Sequence, residues 1–251
     1  MTVVTISQSM YFPWLGHFEL FRLADVYCHY DDVQLSRGFY NRVQVITNGV
    51  SELISVPLTK KKQRQLISQS LLQINDTWIS KHRNKLRESL RKAPFFNCAI
   101  EIFNGVYNES HELLQNINRL SILKICDFLD LSRSTITSDS CGMHGNLSGS
   151  ARLLAICKDL GADVYLTGHG GLNYLDHESF EKNGVEVHYI KYRFEQYEKL
   201  NSIYSPFVTS LDPIAYLGKE AKLTMQSEMI HWREALNNID DLKAKATKRR
   251  S

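Results

Sequence analysis

The first 30 residues place the strongest restriction on the fold of this chain. Residues 2–7 form a β-branched run that predicts a buried strand. Apolar residues recur at roughly helical spacing in residues 17–24, and residues 25–30 alternate as a second strand would. A strand, a helix and a strand in such a short stretch indicate a βαβ unit, which requires a parallel sheet. We therefore expect an α/β protein with a parallel-rich central sheet.

The rest of the chain predicts helices that flank this sheet and a largely helical middle and C-terminal region. Helices are expected at residues 77–91, 97–106, 113–131 and 150–160, and strands at 44–46, 53–57, 163–167 and 185–189. The Asn48-Gly49 pair predicts a hairpin turn between the first two of these strands. Residues 1–218 are expected to form a single α/β domain, and residues 219–251 a helical, increasingly polar extension with a basic tail.

Composition narrows the classes of function. The net charge of +3 is too small to indicate a nucleic-acid partner, and the basic tail from Lys243 is typical of a solvated, frayed end. No stretch approaches the ~20 apolar residues of a transmembrane helix, and the N-terminus lacks a signal-peptide pattern. The five cysteines contain no C-x-x-C pair, which favours reduced thiols over a disulfide framework or a zinc site. A cytoplasmic location is predicted, and the oligomeric state is left open.

An aromatic turn follows the first predicted strand. Pro13 fixes the backbone there, and Gly16 would allow a ligand to approach the main chain closely. Tyr11 and Trp14 could stack on a base or a sugar while donating hydrogen bonds; alternatively, both rings cap the hydrophobic core. Ligands of open parallel sheets bind beyond the carboxyl ends of the strands. The turn and the preceding Gln8 are therefore candidate ligand contacts.

Two adjacent aspartates follow the second predicted strand. One of Asp31 and Asp32 is expected to cap the next turn, and the other could bind Mg²⁺ or act as a general base. Asn41 and Arg42 lie just downstream, and the guanidinium suits a two-point grip on a phosphate or a carboxylate. With Gln34, these residues are expected near the aromatic turn.

The helix predicted from residue 77 carries a possible binding face. Trp78, Lys81 and His82 have the i, i+3, i+4 spacing that places side chains on one face of a helix. This face suits an anion or a sugar; the alternative is a solvated face with one buried tryptophan. His82 has no second metal ligand at i±4, so no metal site is assigned.

Two later loops supply further polar groups. Residues 140–152 lead from a Gly-rich loop into a helix N-terminus, a pattern that can hold an anion and that includes Arg152. Tyr174 and Asp176 follow the strand predicted at residues 163–167. No Walker motif, nucleophile elbow, zinc-protease motif or dinucleotide fingerprint is present. The residues alone indicate a protein that handles phosphate and carboxylate groups, and they assign no cofactor.

The order of these stretches resembles the WbqC-like family. The matching stretches are Tyr11-Phe-Pro-Trp-Leu-Gly16, Asp31-Asp-Val-Gln34, Asn41-Arg42, Trp78 with Lys81-His82, Ala93-Pro-Phe-Phe96, Arg152-Leu-Leu, Gly161-Ala-Asp, Tyr174-Leu-Asp176 and Ser210-Leu-Asp212. The resemblance covers the chain from about Val3 to Gly218. One departure is Ser7-Gln8-Ser9, where the family usually reads His-Gln-Pro. The resemblance implies a bacterial protein encoded with surface-polysaccharide genes, as in the O-antigen part of lipopolysaccharide.

Three functions agree with the residues and the resemblance. The first is a transferase that moves an acyl or aminoacyl group to the amine of a nucleotide-linked amino sugar, with Asp32 or His82 as the base. Its substrate contacts would be Gln8, Tyr11, Trp14, Gly16, Gln34, Asn41, Arg42, Lys81, Arg152, Tyr174 and Asp176. The alternatives are a nucleotidyl- or ATP-using transferase and a non-catalytic protein that binds a glycan or nucleotide sugar. We expect Gln8, Tyr11, Asp32, Asn41, Arg42, His82, Arg152 and Tyr174 to line one pocket.

Overall fold

A six-stranded sheet forms the centre of the computed structural model, which describes residues 1–36, 38, 40–59, 63–73, 77–142, 144–199 and 204–238. The strands are β1 (Val3–Ser7), β2 (Val26–His29), β3 (Arg42–Thr47), β4 (Val50–Ser55), β5 (Ser134–Thr137), β6 (Val164–Thr167), β7 (Glu186–Lys191) and β8 (Glu228–His231). The central sheet has the order β5-β2-β1-β6-β7-β8, and β3 pairs with β4 in a separate hairpin. All neighbours in the central sheet run parallel except β7 and β8. The predicted α/β class is confirmed.

Helices connect and cover these strands. The α-helices are α1 (Leu15–Leu23), α2 (Thr77–Leu90), α3 (Phe96–Val106), α4 (Leu114–Phe128), α5 (Gly149–Asp159), α6 (His177–Lys182) and α7 (Leu211–Leu217). Shorter 3₁₀ helices occupy Ile67–Gln69, Ser138–Ser140, His169–Asn173 and Gly218–Thr224. The predicted βαβ unit is β1-α1-β2, and the predicted helical middle region is α2, α3 and α4. None of the described helices has the length and hydrophobicity needed to cross a bilayer.

The chain adds strands to the two sides of the sheet in opposite directions, starting from the middle strands β1 and β6. The chain adds β2 and then β5 on one side of β1, and β7 and then β8 on the other side of β6. Val4 and Ile6 of β1 pack with residues of α5 and α6, whereas Val3 packs with residues of α1 through α4. We call these two sides of the sheet the α5 face and the α1 face. The carboxyl ends of β1 and β6 therefore form a topological switch point, the place where open α/β sheets bind ligands.

The hairpin turn between β3 and β4 agrees with its sequence. Asn48 and Gly49 both have positive φ, at 51° and 79°. A two-residue hairpin favours a turn type in which both central residues have positive φ, because its twist matches that of the flanking strands. Asparagine and glycine adopt positive φ most readily. The predicted strand pair around this turn is confirmed.

Part of the C-terminal region differs from the helical extension expected there. Residues 228–231 form β8, which lies antiparallel to β7 and completes the central sheet, while residues 232–238 are helical. The sequence of β8 does not predict a strand, because only one of its side chains, Ile230, is buried and no alternating apolar pattern results. Division of the chain at residue 218 stays a prediction, and the basic tail lies outside the described residues.

Candidate functional site

A charged pair lies at the carboxyl edge of the sheet, on the α5 face. Asp32 follows β2, and its carboxylate accepts a hydrogen bond of 2.5 Å from Ser138 Oγ and pairs with Nη2 of Arg152. The Arg152 guanidinium also lies over the ring of Tyr30, with its Cζ 5.0 Å from the ring centroid. Arg152 Nε is buried and has no hydrogen-bond partner among the described residues. This cation is thus positioned on two sides and keeps a donor for a further group.

The contacts of Arg152 keep it charged, and the start of α5 adds to the positive potential around it. Burial alone would lower its pKa, but its bonds to Asp32 and Tyr30 raise the pKa above the usual arginine value. Arg152 lies in the first turn of α5, and Ser148, which directly precedes this helix, makes no side-chain cap hydrogen bond. Backbone N–H groups at a helix start favour negative charge. The start of α5 and the Arg152 side chain therefore form an electropositive region beside Asp32.

Gln8 and Tyr174 approach this edge from two other strands. Gln8 follows β1, and the alternation of side chains through Val4 and Ile6 places it on the α5 face. Tyr174 follows the 3₁₀ helix after β6 and is 56% exposed. Desolvation of its hydroxyl raises the pKa of Tyr174, and the nearby Tyr40 adds to this rise. Gln8 and Tyr174 thus follow strands that end at the same edge of the sheet as the Asp32–Arg152 pair.

Asp31 faces the other side of the sheet and is fully buried. Its carboxylate accepts hydrogen bonds from the Ser9 amide (2.9 Å) and Oγ (2.9 Å), and from Arg119 Nε of α4 at 2.6 Å. Because Ser9 Oγ donates to Asp31, it can accept from His29 Nδ1, 2.8 Å away. Burial lowers the pKa of His29 to about 4, and the charge of Arg119 contributes. Asp31 is therefore the structural member of the aspartate pair, since it joins the ends of β1 and β2 to α4.

Sequence reasoning did not assign roles to the partners of Asp31. Ser9, His29 and Arg119 carry no recognisable motif, and Arg119 lies 88 positions from the aspartate that it contacts. One signal was present: Ser9 stands where the resembled family usually has proline. A proline could not donate the backbone hydrogen bond that Ser9 gives to Asp31.

Tyr11 and His82 are buried, which corrects their predicted roles. The Tyr11 hydroxyl lies 3.0 Å from His82 Nδ1 and 2.7 Å from the Tyr107 hydroxyl. Tyr11 is 1% exposed and His82 is 6% exposed, so neither ring offers a face to a ligand. Burial lowers the pKa of His82 to about 4. His82 is a core histidine and is withdrawn as a catalytic base.

The helical repeat of α2 explains this burial. Trp78, His82, Leu86 and Leu90 recur every fourth residue and are the buried residues of the helix. Lys81 is exposed on a neighbouring face. The expected Trp78–Lys81–His82 platform is therefore wrong, because the two rings belong to the core stripe.

Trp14 and Gly16 pack against each other. The Trp14 indole lies 5.2, 5.6 and 5.4 Å from the rings of Tyr192, Phe194 and Phe207. A Cβ atom at Gly16 would come within 2.1 Å of Trp14 Cζ3. The glycine is needed because the indole covers its backbone, which corrects the expected close approach of a ligand.

The remaining candidates have mixed surroundings. Asn41 is buried, and its Nδ2 donates to Val56 O at 3.0 Å, so it holds the hairpin in place. Arg42 begins β3, and its buried Nε has no partner among the described residues. Gln34 is exposed and forms an isolated backbone bridge with Leu66. Arg42 and Gln34 stay predictions as ligand contacts.

Asp176 caps a helix, and its expected role as a substrate contact stays a prediction. Its carboxylate accepts a hydrogen bond from the Ser179 amide at 3.0 Å, at the start of α6. Its own amide donates to Ser150 Oγ at 2.9 Å and so ties α6 to α5. The eight residues expected in one pocket are not all available to it. Tyr11, Asn41 and His82 are buried in the core, whereas Asp32 and Arg152 pair at the carboxyl edge of the sheet.

Comparison with known proteins places the chain in a family. A family model described as "WbqC-like protein family" matches residues 8–224. The chain belongs to the WbqC-like family. The WbqC-like match includes every candidate residue named above, whereas β1 and β8 lie outside it. The resemblance inferred from the sequence is thus confirmed.

Two further comparisons complete this result. The chain is similar to the "Uncharacterized protein Rv1507c" of Mycobacterium tuberculosis, with 29% identity over 225 residues, which is 88% of this chain and 96% of that protein. No solved structure matches the chain significantly. These comparisons therefore show the family of the chain and assign it no activity.

Proposed function

We propose that this WbqC-like protein is a transferase of bacterial polysaccharide biosynthesis that acts in the cytoplasm on a nucleotide-linked amino sugar. The observation that carries the proposal is the Arg152 guanidinium at the start of α5, at the carboxyl edge of the sheet, with a buried Nε that lacks a partner among the described residues. A guanidinium next to a helix N-terminus suits phosphate oxygens. In the proposal, Arg152 and the first turn of α5 bind the phosphates of the substrate.

Asp32 is the proposed base for the transfer step. The neutral amine of the sugar attacks the carbonyl carbon of an activated acyl or aminoacyl donor. A C–N bond forms, the bond to the leaving group breaks, and the amine proton passes to the Asp32 carboxylate. Ser138 and Arg152 orient that carboxylate by direct contact. Gln8 and Tyr174, on neighbouring strand ends, are proposed to contact the sugar.

A binding experiment tests the phosphate contact. Titration calorimetry with UDP-glucosamine should show saturable binding to the native protein. Arg152→Ala should weaken this binding about 10- to 100-fold, because a charge-assisted hydrogen bond is lost. Lys158→Ala is the matched control, since Lys158 is an exposed cation in the last turn of the same helix. Equal loss in both variants, or no binding by the native protein, would contradict the proposal.

Mass spectrometry tests the transfer step. The protein is incubated with the UDP- or TDP-linked amino sugar and a set of acyl and aminoacyl donors, and acylated sugar is the expected product. Asp32→Asn should abolish product formation. Product formed at the native rate by Asp32→Asn would remove Asp32 from the mechanism.

One observation favours a second candidate, a non-catalytic protein that binds a nucleotide sugar or glycan. The Asp32 carboxylate already has two partners, Ser138 and Arg152, so fewer of its lone pairs remain to accept a proton from an amine. This candidate predicts that Asp32→Asn binds UDP-glucosamine normally and that no donor is consumed. No contact among the described residues favours the nucleotidyl- or ATP-using alternative over these two.

A further inference from the structure

A polar cavity of about 560 Å³ lies among the helices α2, α3 and α4 and shares no lining residue with the Asp32–Arg152 site. Its wall includes Trp78, Arg83, Tyr107, Ser110, His111 and Glu112. This volume is within the range of small-molecule sites, which is about 300–1,000 Å³. None of these residues except Trp78 entered the sequence-based set of candidates, and the proposed transferase site uses none of them.

The rings of this cavity are held by hydrogen bonds. Trp78 Nε1 donates to Gln73 O at 3.3 Å. The Tyr107 hydroxyl lies 2.7 Å from that of Tyr11 in the core. His111 Nε2 lies 2.9 Å from Val106 O, the last residue of α3. A ligand that enters the cavity therefore meets rings whose orientation is already set, which reduces the entropy lost on binding.

Charges of both signs surround the same space. Arg83 Nε donates to Asn104 Oδ1 at 2.8 Å, which orients the guanidinium while most of its five N–H donors remain for a ligand. Glu109 and Glu112 lie on another side of the cavity and are exposed. An anionic or apolar ligand would not match such a mixed wall. An uncharged ring with many hydroxyl groups would, because hydroxyls both donate to carboxylates and accept from a guanidinium.

We propose that this cavity binds an uncharged sugar ring, with the cavity-lining edges of the buried Trp78 and the half-buried Tyr107 beside the ring and Arg83 and Glu112 on its hydroxyl groups. Tyr and Trp suit this role, because each combines an apolar ring with a polar group. The inference does not rest on the proposed transferase activity. It holds equally if the carboxyl edge has another function.

Protein NMR titration with glucose, galactose and N-acetylglucosamine tests the inference. At least one of these sugars should bind saturably at millimolar concentration and shift the Trp78 indole N–H signal. Arg83→Ala should weaken that binding about tenfold, as expected for the loss of one or two hydrogen bonds. Arg87→Ala is the matched control, because Arg87 lies one turn further along α2, is exposed and is not in the cavity wall.

A second variant keeps the test decisive if Arg83→Ala does not fold. Glu112→Gln changes an exposed side chain and should also weaken binding while the melting temperature stays unchanged. The inference is overturned if none of the three sugars binds, or if Arg83→Ala and Glu112→Gln bind as the native protein does. Sugar binding that is lost in Arg152→Ala but kept in Arg83→Ala would assign the sugar to the carboxyl edge and would also overturn it.

Discussion

Ser9 and Asp31 are joined by two hydrogen bonds, because the amide and the hydroxyl of Ser9 both donate to the Asp31 carboxylate at 2.9 Å. Asp31 contacts Arg119 with the same carboxylate, and Ser9 O accepts a hydrogen bond from Asn118 Nδ2 at 3.0 Å. These contacts fix the start of the turn after β1 relative to β2 and α4. A buried polar network of Ser9, Asp31, Asn118 and Arg119 therefore stabilises the carboxyl edge of the sheet.

Ser9→Ala should lower the free energy of unfolding by about 1–3 kcal/mol, because Asp31 and His29 each lose a buried partner. Urea denaturation followed by circular dichroism measures this change. Ser36→Ala is the control, since Ser36 is exposed, and it should be neutral. A neutral result for Ser9→Ala as well would show that the network adds no stability.

The buried histidines predict loss of stability in mild acid. The folded pKa is lowered to about 4 at His29 and His82, and to about 3 at His17, in each case mainly by burial. An unfolded histidine has a pKa near ~6.5, so the unfolded chain binds more protons below this pH. The stabilising contribution is complete above about pH 6.5 and falls as the pH drops toward 4, at up to ~1.4 kcal/mol per pH unit for each histidine.

Substitution at His82 isolates one of these contributions. Chemical denaturation of His82→Gln between pH 7 and pH 5 should show a shallower fall in unfolding free energy than the native protein. Ser36→Ala is the control, because Ser36 is exposed and the substitution removes no titratable group, so its pH dependence should match that of the native protein. An unchanged slope for His82→Gln would mean that His82 titrates normally in the folded state.

Gly16→Ala should destabilise the protein by about 1–3 kcal/mol, as for other substitutions that overfill a packed site. The new Cβ would lie 2.1 Å from Trp14 Cζ3, so the indole has to leave the aromatic cluster. Thermal unfolding and a red shift of tryptophan fluorescence report the two effects. Gly145→Ala meets no atom within 4 Å and should change neither. Native stability of Gly16→Ala would show that Trp14 moves without cost.

A buried ion pair within the matched family region gives a further prediction. Lys199 Nζ lies 2.8 Å from Asp212 Oδ2, and both side chains are almost fully buried. Asp212→Ala should cost about 3–5 kcal/mol, because it leaves an uncompensated charge in the interior. The double variant Lys199→Met/Asp212→Leu should recover much of this loss. Urea denaturation decides the question: additive losses in the double variant would contradict a paired interaction.

The amino-acid sequence was sufficient for elements whose own residues carry the signal. The β-branched run of β1, the helix α2 and the Asn48-Gly49 turn all depend on neighbours a few positions away. Family membership also followed from short motifs in a fixed order. Steric preferences and side-chain periodicity act over such short distances.

Strands at the edges of the sheet were not predicted, because their stability comes from partners far along the chain. In β5 two of four side chains are exposed and neither of the others is fully buried, and the strand is fixed by pairing with β2. The strand β8 is fixed in the same way by β7. Backbone hydrogen bonds to a neighbouring strand are nearly independent of side-chain identity. The residue pattern of an edge strand therefore does not predict its pairing.

The sequence by itself determined that two aspartates follow a strand at the carboxyl edge of a parallel sheet. Only the tertiary structure decided what each of them does. Successive side chains of an extended chain point to opposite faces, so Asp31 meets Arg119 of α4 and Asp32 meets Arg152 of α5. These arginines lie 88 and 120 positions away from their partners, and which face each helix covers depends on the path of the whole chain.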